Sequence, residues 1–456
     1  MDTPATASRQ VDVAAVLDGG GLTRFHWFLL GLSCLITMFE GLDISLMSYT
    51  SPYVRDELHL GGGQLGVLLT AAILGQVVGG FLITRFSDAF GRRPTIIASC
   101  YLFSLLTIGT GFIDDYAPLV TIRFLDGLAI GGLLPTAWAL NIEFAPKPRR
   151  STVVAAIMLG YSIGSALAGP VTNLIAPSQG WRAVYLWAGV GTLLASIALH
   201  RWLPESVRYL VARGGDSSRI AALLNRVSGR SDARPTDRFR LADESHSGTT
   251  FRVAQLFAGD LRQITPLLWI GYMASSFAIY LNSMWGPMLL EALYVPRQSA
   301  ALIASTVALC GAVLGLILVR STEHWGPRGV MICPALALPL LLVMGSGAIG
   351  TDSFVPFVLA SGTLINTGHA MVVSIAGIYY PSAIRASGGG WATAVAKCGA
   401  VFGPIVGGAI VASHLPVIRT YAVLALCPFV LLLAVFGIAR VLKRREAQPA
   451  APAART

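Results

Sequence analysis

Residues 25–49, FHWFLLGLSCLITMFEGLDISLMSY, form a long apolar run that contains two carboxylates, Glu40 and Asp43. A helix of about 20 residues covers the hydrocarbon core of a bilayer, so this run predicts a membrane span with both acids inside it. Their spacing of three places them on one helix face, and Gly41 between them leaves room for a neighbour or a ligand. An ionisable group at mid-membrane costs from ~2.5 to more than 10 kcal/mol, so such acids pair, titrate or line a pathway. A locked ion pair is the structural alternative, but two acids exceed what one pair requires.

The composition of the whole chain places it in the membrane. Of its 456 residues, 54% are hydrophobic and only 12% are charged, whereas a soluble globular chain has about 25% charged residues. The apolar blocks are about twenty residues long, which favours helices over the alternating strands of a β-barrel. We therefore predict an all-α integral membrane protein. The six cysteines fall in apolar segments without metal-ligand spacing, so they are expected to be small buried residues and not disulfides or zinc ligands.

Twelve apolar blocks predict twelve transmembrane helices, called spans 1 to 12 below. They lie near 25–48, 64–84, 95–113, 117–142, 152–175, 183–203, 264–290, 299–319, 330–349, 354–380, 388–412 and 419–440. The predicted organisation is a cytoplasmic N-terminal segment (1–24), a six-helix bundle (25–203), a cytoplasmic linker (204–263), a second six-helix bundle (264–440) and a disordered cytoplasmic tail (441–456). Within the linker, Ser217 to Val227 has the pattern of an amphipathic surface helix.

The formal charge of +10 is unevenly distributed along the chain. One set of alternate loops and the tail carries Arg85, Arg92, Arg93, Lys147, Arg149, Arg150, Arg320, Arg328, Arg385, Lys443, Arg444 and Arg445, while the opposite loops carry Arg55, Arg182, Arg297 and Arg419. The positive-inside rule then places both termini in the cytoplasm. The charge therefore indicates membrane topology, and no nucleic-acid partner is expected.

The two halves repeat each other. Asp88-Ala-Phe-Gly91-Arg92 returns as Glu323-His-Trp-Gly326-Pro-Arg328, and Pro146-Lys-Pro-Arg149-Arg150 returns at the same offset as Pro381-Ser-Ala-Ile-Arg385. With six spans in each half, the copies have the same topology, which predicts parallel repeats about an axis normal to the membrane. This is the architecture of a two-bundle transporter with a central cavity.

Several motifs resemble those of the major facilitator superfamily, and the resemblance covers essentially the whole chain. They are the loop Asp88 to Arg93, its echo after span 8, and Pro204-Glu205-Ser206-Val207-Arg208 after span 6. Within that superfamily, Glu40-Gly41-Leu42-Asp43, Arg123-Phe-Leu-Asp126-Gly127 and Tyr380-Pro381 resemble the aromatic acid/proton symporters, which include bacterial 4-hydroxybenzoate and protocatechuate permeases. The resemblance implies a monomeric transporter of a small aromatic acid in a bacterial inner membrane, serving aromatic compound catabolism.

Four charged residues are candidates for proton coupling. Asp43 and Arg123 each lie about five or six residues from the outer ends of spans 1 and 4, so both are ~8–9 Å deep and can meet. Glu40 and Asp126 lie one turn further in, at similar depths. Because two acids at one level repel, one of them is expected to hold a proton near neutral pH. We expect Asp43 or Glu40 to be the proton site and Arg123 to be the partner that releases and reclaims the carboxylate. The alternative is that Arg123 and Asp126 neutralise each other within their helix.

Polar residues in spans 7, 10 and 11 are candidates for substrate binding. Lys397 lies near mid-membrane, where its ammonium needs an anion; we expect a substrate carboxylate there, with a snorkelled or internally paired lysine as the alternative. His369 and Asn366, one turn apart in span 10, are candidates for contacting a ring substituent. Tyr280, Asn282 and Trp285 in span 7 offer ring stacking and a hydrogen bond, although these side chains also suit helix packing.

A third group of residues is a candidate for gating. It comprises Asp88, Gly91, Arg92, Arg93, Glu143 and Arg385. Acids beside arginines at helix ends can form hydrogen bonds between helices in one conformation and lose them in another. The alternative is that the arginines serve only the positive-inside rule.

Taken together, the residues predict a secondary active transporter that imports a small aromatic carboxylate by proton symport through alternating access. No phosphate loop, nucleophile, metal cluster or cofactor loop is recognisable, so we expect no enzyme activity, no metal and no cofactor, with protons as the coupling ion. Proton-coupled efflux of an organic anion or drug is the alternative within the same fold. A membrane sensor that binds ligand without transport is the alternative from another class.

Overall fold

The computed structural model describes residues 9–242, 252–350, 353–380, 384–413 and 415–447. Eleven helices in this part of the chain are long and apolar enough to cross a membrane, which confirms the predicted class. The remaining predicted span, Arg92–Thr110, is a helix of 19 residues that begins with two arginines and buries the hydroxyls of Ser99, Ser104, Thr107 and Thr110. These arginines and hydroxyls make this helix less apolar than the other eleven.

The helices follow the predicted order. Spans 1 to 6 are Arg24–Leu58, Gly62–Phe90, Arg92–Thr110, Tyr116–Ile130 continued by Leu133–Phe144, Arg150–Gln179 and Trp181–Trp202. Spans 7 to 12 are Leu261–Ala292, Arg297–Trp325, Ile332–Ser346, Phe354–Tyr379, Arg385–Ala412 and Ile418–Ala447. Shorter elements are the helices Val13–Asp18, Val207–Ala212, Ser217–Ser228 and Pro327–Val330, the 3-10 helices Lys147–Arg149 and Val253–Phe257, and the strands Gln10–Asp12 and Arg238–Arg240.

The chain divides by packing into two compact units. The first unit contains Met1–Ile44, Leu74–Ser165 and Gln179–Thr249, and the second contains Ser45–Ile73, Ala166–Ser178 and Thr250–Thr456. The boundary cuts spans 1, 2 and 5 part of the way along their length. The predicted bundles, 25–203 and 264–440, follow the helix count instead and remain a prediction.

Glycines allow the helices of the first unit to approach each other closely. A Cβ atom added to Gly75 would overlap the carbonyl oxygen of Phe124 in span 4, and one added to Gly79 would overlap that of Leu128. Span 1 meets span 5 in the same way, since a Cβ on Gly41 would overlap the carbonyl oxygen of Tyr161. The room that the sequence predicted at Gly41 is thus occupied by a neighbouring helix, and the contacts of these glycines fix spans 1 and 4 at the positions that carry acids.

The N-terminal segment and the linker contain ordered structure within the first unit. The strand Gln10–Asp12 pairs in parallel with Arg238–Arg240, and the helix Val13–Asp18 packs against Ser217–Ser228. This second helix confirms the predicted amphipathic segment: it buries Ile220, Ala221, Leu224 and Val227. The pairing of the N-terminal strand was missed, because a three-residue strand has no periodicity that a sequence reveals.

Asp18 joins this segment to the loop after span 4. Its carboxylate lies 3.0 Å from Lys147 Nζ and 3.7 Å from Arg150 Nη2. Partial burial opposes ionisation, but the hydrogen bonds from Lys147 and the two cationic charges outweigh it and lower the pKa of Asp18 below its ordinary value. The interaction therefore favours the folded state whenever the carboxylate is ionised.

Asp18→Asn is expected to lower stability by at most about 0.5 kcal/mol at neutral pH, because the pair is near the surface. A lowered folded pKa means that the contribution is complete above the unfolded value of about 3.9 and is lost as pH falls through the folded value. Thermal unfolding of both proteins at neutral and acidic pH measures this. A difference that grows on acidification would contradict the assignment.

The second unit is also held by close helix contacts. A Cβ on Gly399 would overlap the carbonyl oxygen of Met273, and one on Gly403 would lie 3.0 Å from that of Phe277, so spans 7 and 11 are in close contact. Cys310 and Cys398 are exposed, so the expectation that all six cysteines are buried was wrong for these two. A small residue is tolerated on an exposed helix face as readily as in a core.

Two arginines predicted on the outer side are neutralised within the second unit. Arg55 Nη2 lies 2.8 Å from Asp56 Oδ1 and 3.2 Å from Glu291 Oε1. Arg297 Nη2 lies 2.6 Å from Asp56 Oδ2 and 2.7 Å from Glu291 Oε1. A cavity of about 620 Å³ borders Arg55 and is otherwise lined mainly by apolar residues of spans 2, 7 and 11. The charges of these four groups sum to zero.

Candidate functional site

The centre of the first unit is an ion cluster between spans 1 and 4. Arg123 Nη2 lies 2.9 Å from Asp43 Oδ2, and Arg123 Nη1 lies 3.2 Å from Asp43 Oδ1. Arg123 Nη1 also lies 3.0 Å from Asp126 Oδ2, one turn along the same helix. The predicted meeting of Asp43 and Arg123 is therefore present, and the alternative pairing with Asp126 exists at the same time. One guanidinium serves two carboxylates.

The cluster is shielded from solvent. The side chains of Arg123 and Asp126 are fully buried and that of Asp43 is nearly so. The guanidinium carbon of Arg123 also lies 5.4 Å from the centroid of the Tyr185 ring in span 6, a distance at which a cation and an aromatic face attract. In such surroundings charges interact strongly, and a net charge is costly to hold. With both acids ionised the three side chains carry a net charge of −1, and with one proton bound they carry none.

Two further residues complete this region. Glu40 is buried one turn before Asp43 on span 1, as the apolar run predicted. Thr107 in span 3 was not singled out from the sequence, yet its Oγ1 lies 3.3 Å from Asp43 Oδ1 and 3.5 Å from Asp126 Oδ1. The hydroxyls of Ser104, Thr107 and Thr110, spaced by three in an otherwise apolar helix, are the sequence pattern that could have indicated a polar face.

The predicted gating residues form a network at the ends of the helices of the first unit. Arg92 Nη2 lies 3.2 Å from Asp88 Oδ1, and Arg92 Nε lies 3.1 Å from Glu143 Oε1 in span 4. Arg93 donates from Nε to the carbonyl oxygen of Leu203 at 2.7 Å and from Nη2 to that of His200 at 2.8 Å. The two arginines thus connect spans 2, 3, 4 and 6. The side chain of Arg385 lies outside the described part of the chain.

Glu205 anchors the start of span 3 in this network. Its Oε1 accepts from the backbone N–H groups of Arg92 and Arg93 at 3.0 and 3.2 Å, so a carboxylate occupies the positive end of the helix. Gly91 immediately before has φ of +106°, and a Cβ there would overlap Glu205 Oε2. The predicted glycine is thus required both for its backbone conformation and for the approach of Glu205.

A separate group of polar side chains lies in the second unit, on spans 7, 10 and 11. His369 Nδ1 lies 3.1 Å from Ser275 Oγ, and Ser275 Oγ donates to the carbonyl oxygen of Tyr272 at 3.0 Å. Where the single hydrogen of Ser275 Oγ is donated to Tyr272, the oxygen accepts from His369 Nδ1–H, and Nε2 of that neutral tautomer is an acceptor. Lys397 is close enough for its charge to act on this ring, and it is half-buried. Among the side chains that the structure describes, none forms an ion pair or hydrogen bond with Lys397.

The other predicted binding residues occupy different surroundings. Trp285 is fully buried, and its Nε1 donates to the carbonyl oxygen of Pro404 at 3.0 Å, so its indole is part of the packing between spans 7 and 11. Asn366 donates to the carbonyl oxygen of Gly362 in its own helix at 3.2 Å. Tyr280 and Asn282 are half-buried on span 7. Ser275, which the sequence did not indicate, lies within hydrogen-bonding distance of His369.

The space beside His369 is small in this structure. Ser275, His369 and apolar residues of spans 7, 9, 10 and 12 enclose about 20 Å³, which is room for about one water molecule. An aromatic ring does not fit there.

Comparisons with known proteins agree with this architecture. The profile of the Major Facilitator Superfamily matches residues 33–242. The chain is 30% identical to the gallate transporter of Pseudomonas putida over 430 residues, covering 94% of this chain and 95% of that one. It is 25% identical to the 4-hydroxybenzoate transporter PcaK of Acinetobacter baylyi, covering 90% of each chain.

A solved structure supports the same fold. The xylose transporter XylE from Escherichia coli, in a partially occluded inward open conformation, superposes with a TM-score of 0.71 at 18% identity, over 92% of this chain and 98% of that one. The fold and the sequence matches define a multi-pass membrane transporter of twelve helices. The chain belongs to the major facilitator superfamily, and within it to the family of aromatic acid permeases.

Proposed function

We propose that this protein imports a small aromatic carboxylate together with protons by alternating access. The buried Asp43–Arg123–Asp126 cluster is the observation that carries the proposal. A transporter driven by protons needs an intramembrane group that binds and releases one, and an acid pair sharing one arginine provides it. The names of the relatives, transporters of gallate and of 4-hydroxybenzoate, support an aromatic acid as substrate.

The coupling proton is assigned to the acids of the first unit. Asp43 contacts Arg123 from span 1, Asp126 contacts it from span 4, and Glu40 lies one turn away. One proton brings the three-residue cluster from a net charge of −1 to neutrality and weakens the attraction between Arg123 and the protonated acid. Span 1 is then freer to move against span 4, which links proton binding to a change of conformation.

The substrate carboxylate is assigned to Lys397. Its ammonium lies within a membrane span and has no anionic partner among the described side chains, so an incoming carboxylate would remove the cost of holding it there. His369 Nε2, an acceptor close by, suits a hydroxyl hydrogen on the ring. Further contacts with the substrate are assigned to Asn366, Asn282 and Tyr280. Trp285 is assigned an indirect role in substrate binding, because its indole packs between spans 7 and 11.

The network around Arg92 is assigned to gating. Asp88 and Glu143 hold the ends of spans 2, 3 and 4 through charged hydrogen bonds to Arg92, which can break and re-form without loss of the helices, and Gly91 leaves room for Glu205 at the start of span 3. We assign a gating role also to Arg385, which occupies the loop of the second half that repeats the loop of Arg150. We further propose a bacterial inner-membrane location, both termini in the cytoplasm, and a monomer.

Uptake into proteoliposomes tests the proposal. Labelled benzoate, 4-hydroxybenzoate and gallate are offered with and without an inward proton gradient, and accumulation of at least one that depends on the gradient is expected. Binding without accumulation would favour a sensor. Gradient-driven export of an organic anion with no import would favour the efflux alternative.

Lys397→Ala is expected to weaken binding of a carboxylate substrate by about 10- to 100-fold, because a hydrogen bond to a charged group contributes about 1.5–3 kcal/mol. The corresponding amide should lose much less, since it carries no charge. Calorimetry with both ligands makes the comparison, and Lys397→Arg, which keeps the charge, is the control. Equal losses for acid and amide would refute the anion site.

A further inference from the structure

The hydroxyl of Thr107 is surrounded by three acceptors. Its Oγ1 lies 3.0 Å from the carbonyl oxygen of Phe103, 3.3 Å from Asp43 Oδ1 and 3.5 Å from Asp126 Oδ1. The side chain is fully buried on span 3. Among the hydrogen bonds that the structure describes, Thr107 is therefore the one residue of span 3 that contacts both carboxylates of the cluster.

A threonine hydroxyl has one hydrogen and two lone pairs, so it cannot donate to all three acceptors at once. If it donates to Phe103, its lone pairs face the two carboxyl groups, and either group can bond to it only by donating a proton of its own. If both carboxylates are ionised, the favourable orientation turns the hydroxyl hydrogen toward one of them. The orientation of this hydrogen thus depends on whether the acid pair holds a proton.

The charges around the cluster determine which orientation of the Thr107 hydroxyl is favourable. Arg123 lies between the two acids, with the Tyr185 ring on one side of it, and Glu40 and Cys100 lie one and two turns away on spans 1 and 3. Arg123 balances one carboxylate only. The second must be stabilised by hydrogen bonds or by a proton, because an uncompensated buried charge is costly.

We propose that Thr107 is a positioning residue whose hydroxyl rotates with the protonation state of the Asp43–Asp126 pair. It donates to a carboxylate when both acids are ionised, and it accepts from the protonated acid while donating to Phe103 when one proton is bound. No covalent bond of Thr107 changes; one hydrogen bond is exchanged for another. The inference rests on the proposed function, in which this pair carries the coupling proton.

Thr107→Val, which keeps the shape but removes the hydroxyl, tests this against Thr107→Ser, which keeps the hydroxyl. Thr110→Val is the matched control, because Thr110 is equally buried one turn away and its hydroxyl bonds to the carbonyl oxygen of Leu106. The pH dependence of uptake is measured for the acid that the wild type accumulates. The infrared C=O band of the protonated carboxyl group is measured in the same proteins without substrate.

Thr107→Val is expected to move the pH midpoint of uptake upward by about half to one unit, because the charge-assisted bond to the ionised acid is the stronger of the two that are lost. The carboxyl band should shift to higher frequency, and Thr107→Ser and Thr110→Val should keep both wild-type values. Thr107→Ala gives the same readouts if the valine variant does not fold.

A wild-type midpoint and band in the valine or alanine variant would overturn the inference and leave Thr107 as a packing residue. Absence of proton-driven accumulation in the wild type would instead overturn the proposed function. In that case the infrared band alone decides whether Thr107 senses the proton.

Discussion

Replacing Asp43 with asparagine is expected to abolish accumulation of substrate against its gradient while leaving exchange of substrate partly intact. The asparagine side chain is neutral at every pH, so Arg123 keeps Asp126 as its anionic partner, and position 43 of span 1 no longer binds or releases a proton. The helix packing that Gly41 provides is unchanged by the substitution. Transport should continue, but without coupling.

The measurement compares two assays on the same proteoliposomes. Uptake driven by the proton gradient should rise no further than equal substrate concentrations inside and outside. Substrate counterflow, measured with the same pH on both sides of the membrane, should persist. Asp114→Asn is the control, because this carboxylate is 84% exposed and pairs with Arg182 at the surface. Normal accumulation by Asp43→Asn would remove Asp43 from the coupling role.

Gly41→Ala is expected to be the most disruptive of the small substitutions in span 1. A Cβ at this position would overlap the carbonyl oxygen of Tyr161, which is backbone and cannot rotate away. Overpacking of a tight contact costs about 1–3 kcal/mol or more, and here it would also displace the helix that carries Asp43. Both stability and transport should suffer.

Gly31→Ala provides the control for this prediction. Gly31 lies on the same helix, and a Cβ there would meet nothing within 4 Å. Thermal unfolding in detergent should show a fall in the midpoint of about 5 °C or more for Gly41→Ala and none for Gly31→Ala. If the two variants behaved alike, span 1 and span 5 would not be in the close contact described above.

Much of the fold could be predicted from local sequence. The apolar blocks specify the helices because a bilayer requires every backbone polar group to be bonded within its own segment. Gly41 was predicted to leave room beside span 1 because small residues let membrane helices approach closely, and span 5 occupies that room. Span 3 was predicted within a few residues even though its polar content makes it the least apolar.

The site was only partly accessible to such reasoning. Helical rise placed Asp43 and Arg123 at matching depths, and they do meet. Depth gives no rotation of one helix about its axis, so it could not say that Arg123 binds Asp126 at the same time, or that Thr107 approaches both acids. Trp285 and Ser275 show the same limit. The Trp285 indole packs between spans 7 and 11, whereas Ser275 contacts His369, and the sequence determined neither orientation.

By itself, then, the sequence determined the membrane environment, the helices, the repeat and the presence of costly charges within the spans, because each depends on composition or spacing along one segment. The tertiary structure alone decided which charges share a partner and that Lys397 has no anion of its own among the described side chains. It also decided that the N-terminal strand pairs with the linker. These outcomes depend on how helices and strands distant in sequence are rotated and packed, which no local pattern encodes.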